Sequence, residues 1–479
     1  MRVIALCVLP FVAALLAFLM TGPRAPRMRA ALLLSVAVAH TGIVVTLWSG
    51  SVAPVLAGWL AVDALGLLVL TLTSTLFLLT ALYAVGYLKH VRPRGGRLFS
   101  TGLLAFLGAA SIVSLSHHLA VLWVGIEATT LALAPLVFHR HDRRSLEAVW
   151  KYLVLSSVGI ALALLGIFFL ATAQAGLPGR PLVMADLVLH ARELHPAWLR
   201  AAFLFLLVGF GTKMGLAPLH TWKPDVYGEA PSLVGALMAG ALTSAAFLGV
   251  ARATQVAMAA GQGPFIQPVL LGFGMLSLLV AAAFMIGRHD LKRLLAYSSV
   301  EHMGLLVLGL GLGGAGAYGA VLHAVNNGLA KTWLFLVVGN VALATGSSAV
   351  AANRGMVHVR PVSGMLLILG LFAVTGSPPF GLFLSEFTIL RAAIDTGHPW
   401  IAAATLLLLA IVFIGMASAL LEVVLGDPPE GAVRARESAW LIAGPLVLAS
   451  MVLLLGVHIP APLALMLERA AGALGGFAP

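Results

Sequence analysis

The distribution of hydrophobic and polar residues divides this chain into long apolar runs separated by short polar segments. A helix needs roughly 20 apolar residues to cross the hydrocarbon core of a bilayer. The pattern therefore predicts an all-α polytopic membrane protein of about fourteen transmembrane helices. The predicted spans cover residues 3–21, 30–49, 62–88, 98–116, 119–138, 148–172, 201–222, 232–252, 266–287, 291–312, 318–345, 362–391, 400–425 and 439–458.

Composition agrees with this prediction, since 61% of the residues are hydrophobic and only 9% are charged, against roughly 25% charged in a soluble domain. The net charge of +11 does not indicate nucleic-acid binding, because the basic residues occupy short loops between apolar runs. The single cysteine, Cys7, excludes a disulfide and a cysteine ligand set. We therefore expect no cofactor or metal in this chain and assign any redox chemistry to a partner. The first run is interpreted as a retained helix, because no small-residue cleavage site follows it.

Lysine and arginine collect in every second loop, for example PRAPRMR after the first span and HRHDRRS after the fifth. Cytoplasmic loops of membrane proteins carry an excess of these residues, so both termini are predicted to be periplasmic. One outer connection, residues 173–200, departs from the rule because it contains Arg180, Arg192 and Arg200. Its portion at residues 184–199 is predicted to form an interfacial helix.

Two spans are interrupted by helix-breaking residues. The seventh contains Gly215 and Pro218, and the twelfth contains TGSPPFG at residues 375–381. Five spans separate the breaks, and an odd offset reverses direction through the membrane, which predicts two inverted five-helix repeats, each with a broken helix. The predicted units are residues 1–97 (three helices), 98–252 (first repeat), 266–425 (second repeat) and 439–479 (last helix and tail).

Ionisable residues gather in and beside these spans, where a charge costs roughly 3 kcal/mol at a helix centre and calls for a partner or a function. They are Asp63, Glu127, Lys151, Lys213, His220, Glu229, Glu301, His302, His323, Lys331 and Glu386. Asp63 begins a span and is interpreted as an interfacial cap. For Lys151 a snorkelling side chain and a proton relay both stay open. His40, His117 and His118 are interpreted as satisfied polar or surface groups, and zinc is not expected because the histidines are scattered over many spans.

Glu127 and Lys213 are the strongest candidates for a functional pair. Glu127 has apolar flanks on both sides and a stem too short to snorkel, so it needs a partner. Lys213 precedes a break, where loss of water and a nearby carboxylate have opposite effects on its protonation. We interpret the pair as a proton switch, with His220 as an intermediate stop; a static buried ion pair is the alternative.

The second half holds a matching set of groups. Glu301 and His302 lie in SSVEHMG, His323 and Lys331 in HAVNNGLAK, and Glu386 in PPFGLFLSEF. Lys331 shares a helix face with the residue four positions before it, Asn327. Glu386 is interpreted as the repeat equivalent of Lys213, as the partner of Lys331 and as the outer proton terminal. Glu229 is retained as a further relay candidate.

Several motifs together resemble a known family. TKMGLAPLHTWKPDVYGEAPS, the glutamate of the fifth span, LLAYSSVEHMG, NNGLAKTWLF and GSPPFGLFLSEF are similar to the antiporter-like proton-translocating subunits of respiratory complex I, Mrp-type cation/proton antiporters and membrane-bound energy-converting NiFe hydrogenases. The likeness extends from about the third span to the thirteenth. Within this family, SSVEHMG and LAKTWLF resemble the members of the hydrogenase-4 and formate hydrogenlyase type.

The resemblance implies a non-catalytic subunit of an oxidoreductase complex in a bacterial inner membrane. Its expected partners are other membrane subunits and, indirectly, a peripheral Fe–S/NiFe or quinone-reducing module. It also implies that Glu127 and Lys213 are the switch pair and that Glu386 is the outer terminal. The implied central hydrophilic axis consists of His302, His323 and Lys331.

This chain departs from the family pattern in two places. The usual Leu-Pro-Asp-Ala-His is Lys-Pro-Asp-Val-Tyr here, so that Lys223 adds a cation and Tyr227 replaces a histidine. Ser244 stands where complex I members usually carry a lysine. The link between the two halves is therefore expected to use water, Lys331 or His323.

The functional prediction is a proton-conducting subunit driven by a redox module through neighbouring membrane subunits. The alternative is an autonomous or Mrp-type sodium/proton antiporter subunit. We find no catalytic triad, phosphate-binding loop or dinucleotide fingerprint in the sequence. The glycine-rich GLGLGGAG at residues 309–316 is not such a fingerprint, because it ends a span and does not link a strand to a helix.

Overall fold

The computed structural model describes residues 1–50, 52–90, 96–174, 181–287, 289–428, 434 and 436–475. Arg180 and parts of three basic loops, at 91–95, 288 and 429–433, lie outside the described residues. The described residues form α-helices joined by short connections. The helices are α1 (Arg2–Leu19), α2 (Ala25–Val45), α3 (Ala64–His90), α4 (Gly96–Leu115), α5 (Leu119–Val137), α6 (Arg143–Ala173), α7 (Met184–Leu189), α8 (Pro196–Met214), α9 (Trp222–Glu229), α10 (Ser232–Leu237), α11 (Thr243–Ala259), α12 (Gly263–Met285), α13 (Leu291–Leu312), α14 (Gly314–Thr345), α15 (Met356–Val359), α16 (Pro361–Val374), α17 (Gly381–Asp395), α18 (Pro399–Leu425), α19 (Ala439–Val457) and α20 (Ala461–Gly472).

The number of spans confirms the prediction from hydropathy. Within the described part of the chain, 13 segments are long and apolar enough to cross a membrane, and each coincides with one predicted span. In one of them a π-helical turn, Met238–Leu242, joins α10 to α11. The remaining predicted span, residues 362–391, is divided between α16 and α17, and α16 with 14 residues is only about 21 Å long. The protein is therefore a multi-span membrane protein.

Burial separates central helices from peripheral ones. The apolar windows of Ser232–Ala259 and Leu291–Leu312 are 100% and 94% buried inside the protein, whereas those of Ala25–Val45 and Pro399–Leu425 are only 33% buried. A helix that is apolar all round can face lipid, but one enclosed by protein can carry polar side chains if they are paired. Four ionisable residues of the second half accordingly lie on the enclosed helices, Glu301 and His302 on α13 and His323 and Lys331 on α14, while Glu386 lies on α17.

Two sequence-based boundaries need correction. The predicted interfacial helix at 184–199 is only the six-residue α7, because a 3-10 turn follows it and the remaining residues begin α8 at Pro196. The tail after the last span, for which the sequence analysis assigned no element, contains α20, which packs against α3 and α14.

Asp63 does more than cap a helix. It accepts a hydrogen bond from Gly66 N at 3.0 Å, as a cap would, but it also binds both terminal nitrogens of the Arg252 guanidinium at 2.5 and 2.7 Å. His117 lies 3.4 Å away on the other side. Burial alone would raise the pKa of Asp63, but Arg252 and His117 outweigh burial and hold this pKa well below its usual range. This ion pair joins α3 to α11, and the sequence did not reveal it.

The break between α16 and α17 is packed tightly against α19. A Cβ atom at Gly456 would collide with the carbonyl oxygen of Pro379, in the backbone of the break. We expect Gly456→Ala to destabilise the protein by about 1–3 kcal/mol, because neither backbone can move without displacing its helix. Thermal unfolding of the purified protein in detergent measures this effect. Gly272→Ala is the matched control, because a Cβ there meets nothing within 4 Å, and an unchanged midpoint for Gly456→Ala would contradict the prediction.

Candidate proton-translocation site

The first break separates α8 from α9 and is closed by side chains of α9. Helix α8 ends at Gly215, whose φ of 81° is a left-handed conformation that favours glycine. The Lys223 ammonium group donates to the carbonyl oxygen of Met214 at 2.6 Å, and the Trp222 indole donates to that of Thr212 at 2.9 Å. Backbone carbonyls freed inside a membrane must find donors. Protein side chains supply two of them here.

Lys213 and Glu127 form the contact that the sequence predicted. The Lys213 Nζ lies 3.6 Å from Glu127 Oε2, and the lysine side chain is fully buried. Thr130 lies between them, because its hydroxyl accepts a hydrogen bond from Lys213 and donates one to Glu127 Oε2 at 3.3 Å. The Tyr152 ring, with its centroid 5.3 Å from Nζ, covers the lysine. A proton on Lys213 therefore has a hydroxyl and a carboxylate within reach.

Glu127 also lies at the lateral surface of the helix bundle. Its side chain is 23% exposed, and Val124 and Leu131, three residues before and four after it, are 55% and 63% exposed. Residues at this spacing share one face of a helix. The carboxylate consequently borders the face of α5 that turns away from the rest of the chain.

Charged residues line an open vestibule at one end of the first half. Its volume is about 630 Å³, and its walls come from α6, α9 and the start of α13. Lys151 bridges Glu147 and Asp225, at 2.7 Å from each, and is 43% exposed. Glu229 faces Arg140 at 3.7 Å. Lys151 and Glu229 therefore belong to this vestibule and not to the membrane centre.

His220 lies in the break itself. It is buried, and its Nδ1 has no hydrogen-bond partner among the described residues. The centroid of its ring is 6.4 Å from that of Tyr297, on α13. In the sequence, His220 lies between Lys213 and the vestibule residue Asp225.

In the second half, Lys331 is linked to Glu301 and not to Glu386. The lysine donates to Ser298 Oγ at 2.5 Å, and Ser298 donates to Glu301 Oε2 at 3.3 Å. The ion pairs of the described residues do not include the predicted direct pair of Lys331 with Glu386, although Glu386 lies near enough for its charge to act on Lys331. Helix α14 packs on both α13 and α17, and its contact with α13 brings Lys331 to Ser298, one turn before Glu301.

His302 and His323 contact each other, although the sequence suggested scattered histidines. His302 Nδ1 shares a hydrogen bond of 3.0 Å with His323 Nε2, and His323 Nδ1 shares one of 2.8 Å with Ser385 Oγ. Ligand atoms of His302, His323 and Glu386 lie within 4.8 Å of one another, so these three residues could hold a metal ion. An ion bound through the two facing nitrogens would have to displace the hydrogen bond that joins the rings.

Glu386 lies against the second break. One carboxylate oxygen faces Gly376, where the positive φ of 64° and a clashing Cβ both require glycine, and Oε1 has no hydrogen-bond partner within the described chain. Glu386 follows its break, whereas Lys213 precedes its own. The sequence had suggested that the two residues are equivalent. The structure places them on opposite sides of their breaks.

Lys223 lies on α9, beside the first break. It is fully buried beside Gly215, and its Nζ is 5.8 Å from the centroid of the Tyr227 ring. The positive charge of Lys331, in the second half, also acts on it. Ser244, at the place of the usual lysine, instead donates to the carbonyl oxygen of Gly240 at 2.7 Å within its own helix.

Three hydroxyl residues that connect the ionisable groups were missed from the sequence. Thr130 follows Glu127 by three residues and Ser298 precedes Glu301 by three, so each shares a helix face with its carboxylate. Ser385 is adjacent to Glu386. The i,i+3 spacing of a hydroxyl and a buried carboxylate is the signal that could have found the first two.

Known proteins resemble this chain in sequence and fold. Residues 116–412 match the family model described as NADH:quinone oxidoreductase/Mrp antiporter, transmembrane. A hydrogenase-4 component F homologue from Methylacidiphilum infernorum is 34% identical over 77% of this chain and 79% of its own length. The NADH-quinone oxidoreductase subunit N of Halorhodospira halophila is 32% identical, over 78% of this chain and 76% of that protein.

Among solved structures, a chain of the Mrp complex from Dietzia sp. DQ12-45-1b superposes with a TM-score of 0.86 at 20% identity, with 99% of both chains covered. That likeness concerns the fold. The sequence matches extend to the residues around both breaks. The chain therefore belongs to the NADH:quinone oxidoreductase/Mrp antiporter transmembrane family, as one of its antiporter-like membrane subunits.

Proposed function

We propose that this chain carries protons across a bacterial inner membrane, as a subunit that performs no redox chemistry and is driven by a redox module. The observation that supports this most strongly is the fully buried Lys213, connected to Glu127 through Thr130 at the end of a broken helix. A charge in this position needs a partner. If Glu127 moves away by a few ångströms, Lys213 loses the group that stabilises its charged form and releases its proton.

The first half supplies a route to this pair. Protons enter at the charged vestibule, where Lys151, Asp225 and Glu229 lie, and reach Lys213 through His220. The unpaired Nδ1 of His220 leaves this ring free to bind water or a proton.

The second half continues the route through two short chains of hydrogen bonds. Lys331, Ser298 and Glu301 form one chain, and the second runs from His302 through His323 to Ser385. Glu386 stands at the end of the second, beside the break, and serves as the outer terminal.

Lys223 provides the link between the halves. Lys223 lies on α9, beside the residues that end α8, and the charge of Lys331 acts on it. The two lysines that it could connect are Lys213 on α8 and Lys331 on α14. Ser244 cannot replace it, since its hydroxyl is already bound to a carbonyl. This assignment differs from the sequence expectation, which named water, Lys331 or His323.

The proposed architecture follows from the same features. Residues 98–252 and 266–425 act as two inverted repeats, residues 1–97 and 439–479 flank them, and both termini lie in the periplasm. A neighbouring membrane subunit covers Glu127, because a carboxylate that is 23% exposed would otherwise face lipid. The peripheral Fe–S/NiFe or quinone-reducing module acts through such neighbours.

Transport in liposomes tests the proposal. The assembled complex, given its electron donor, should acidify one compartment without sodium, and the purified chain alone should not exchange sodium for protons. The rival function, an autonomous sodium/proton antiporter, has the support of the Mrp-type fold. Sodium-dependent proton flux through the chain alone would establish that rival, and a complex that reacts without moving protons would refute the proposed function.

A further inference from the structure

A basic cavity lies far from the proposed proton route, where the connection from α1 to α2 meets the end of α3 and the start of α4. Its volume is about 760 Å³, and Arg24, Arg27, Arg29 and Lys89 contribute to its lining. We propose that this cavity binds the phosphate headgroup of an anionic phospholipid. The proposal is independent of proton transport.

The cavity holds positive charge without a counterion. Residues 20–31 and 86–97 contain seven lysines and arginines and no aspartate or glutamate. None of the four basic residues that line the cavity forms an ion pair within the described part of the chain. An anion from outside the chain would supply the missing charge.

Arg29 is the residue that points most directly to a ligand. Only 9% of it is exposed, and its Nη1 donates to the Met20 carbonyl oxygen at 3.2 Å. Its Nη2 lies beside Gly96, 3.6 Å from the position that a Cβ atom on Gly96 would occupy. A buried guanidinium without a carboxylate is costly, and its planar donors match the oxygens of a phosphate group.

The surroundings indicate a lipid and not a free anion. Phe18, Leu19, Met28 and Leu98 next to the cavity are 39%, 63%, 51% and 52% exposed, so apolar side chains continue from the charged cavity along the outside of the bundle. The helices around the cavity are membrane spans that end at this level. Basic pockets between transmembrane helices at the membrane surface bind anionic headgroups, and the exposed apolar side chains would contact the acyl chains.

Native mass spectrometry of the purified full chain tests this site. We expect phosphatidylglycerol to stay bound in preference to phosphatidylcholine, and Arg29→Gln to weaken its retention about tenfold, the loss of one charge-assisted hydrogen bond. The double variant Arg24→Gln/Arg27→Gln tests the same site without altering a buried residue. Arg143→Gln is the matched control, an exposed arginine at the same end of the bundle but outside the cavity.

Two results would overturn the proposal. Equal retention of both lipids by the wild type and by all variants would mean that the cavity does not select a charged headgroup. Release of phosphatidylglycerol by millimolar inorganic phosphate, with the same thermal stabilisation by phosphate alone, would assign the site to a free anion. The measured quantity is lipid retention and not proton translocation, so failure of this proposal is separable from failure of the proposed function.

Discussion

Replacement of Glu127 by glutamine, or of Lys213 by methionine, is expected to lower redox-driven proton translocation about a hundredfold in the assembled complex, the usual effect of losing a positioned acid or base. Each change keeps the size of the side chain and removes one member of the pair whose atoms lie 3.6 Å apart. Thr130 is unchanged in both variants, but a hydroxyl does not ionise at neutral pH and cannot replace the missing acid or base. The measurement is the proton-to-electron ratio of the complex in liposomes.

Loss of assembly would imitate loss of transport, so the controls address stability. Asp395→Asn removes an exposed carboxylate from the end of α17, outside the proposed route, and should leave the ratio unchanged. Copurification of all subunits and an unchanged unfolding midpoint must accompany the result in Glu127→Gln. A normal proton-to-electron ratio in either variant of the pair would refute the role assigned to Glu127 and Lys213.

Lys223→Leu is expected to have an effect of similar size, about a hundredfold, because it removes the proposed ionisable link between the halves. The leucine retains apolar contact beside Gly215 but cannot hold a proton. Related subunits are expected to carry leucine here and a lysine at the place of Ser244. The double variant Lys223→Leu/Ser244→Lys should therefore recover much of the activity.

A purely structural role of Lys223 would give a different result. Lys292 is a suitable comparison, since it is also buried and donates to a backbone carbonyl, that of Ala230, at 2.8 Å. If Lys223 only satisfies Met214, then Lys223→Leu and Lys292→Leu should both destabilise the protein and neither should affect the proton-to-electron ratio of the folded complex. Ser244→Ala should behave as the wild type.

Much of the fold was predictable because a membrane imposes a local rule. Every stretch of about 20 apolar residues has to become a helix, since its backbone groups find no water in the hydrocarbon core. The breaks were predictable for the same reason, as glycine and proline at residues 215, 218 and 375–381 cannot continue a helix. The short α7 and the amphipathic α20 were missed or misjudged because neither spans the membrane and so neither obeys this rule.

The candidate site was predictable only in part. Glu127 and Lys213 lie within the fifth and seventh apolar runs, which suggested that they pair, and they do. The partner of Lys331 could not be read from the sequence, because three carboxylates or histidines on other helices were equally available. The packing of α14 against α13 decided in favour of Ser298 and Glu301. The ion pair of Asp63 with Arg252, 189 residues apart, depended on packing in the same way.

The sequence by itself determined that the chain is a bundle of membrane helices, where these helices are interrupted, and which residues carry charge into the membrane. These properties depend on short stretches of chain in contact with lipid. Only the tertiary structure decided which charged groups meet, that Lys223 is buried beside the first break, and that Arg29 lines a basic cavity. Those contacts join helices that are distant along the chain, and their geometry depends on how whole helix faces pack together.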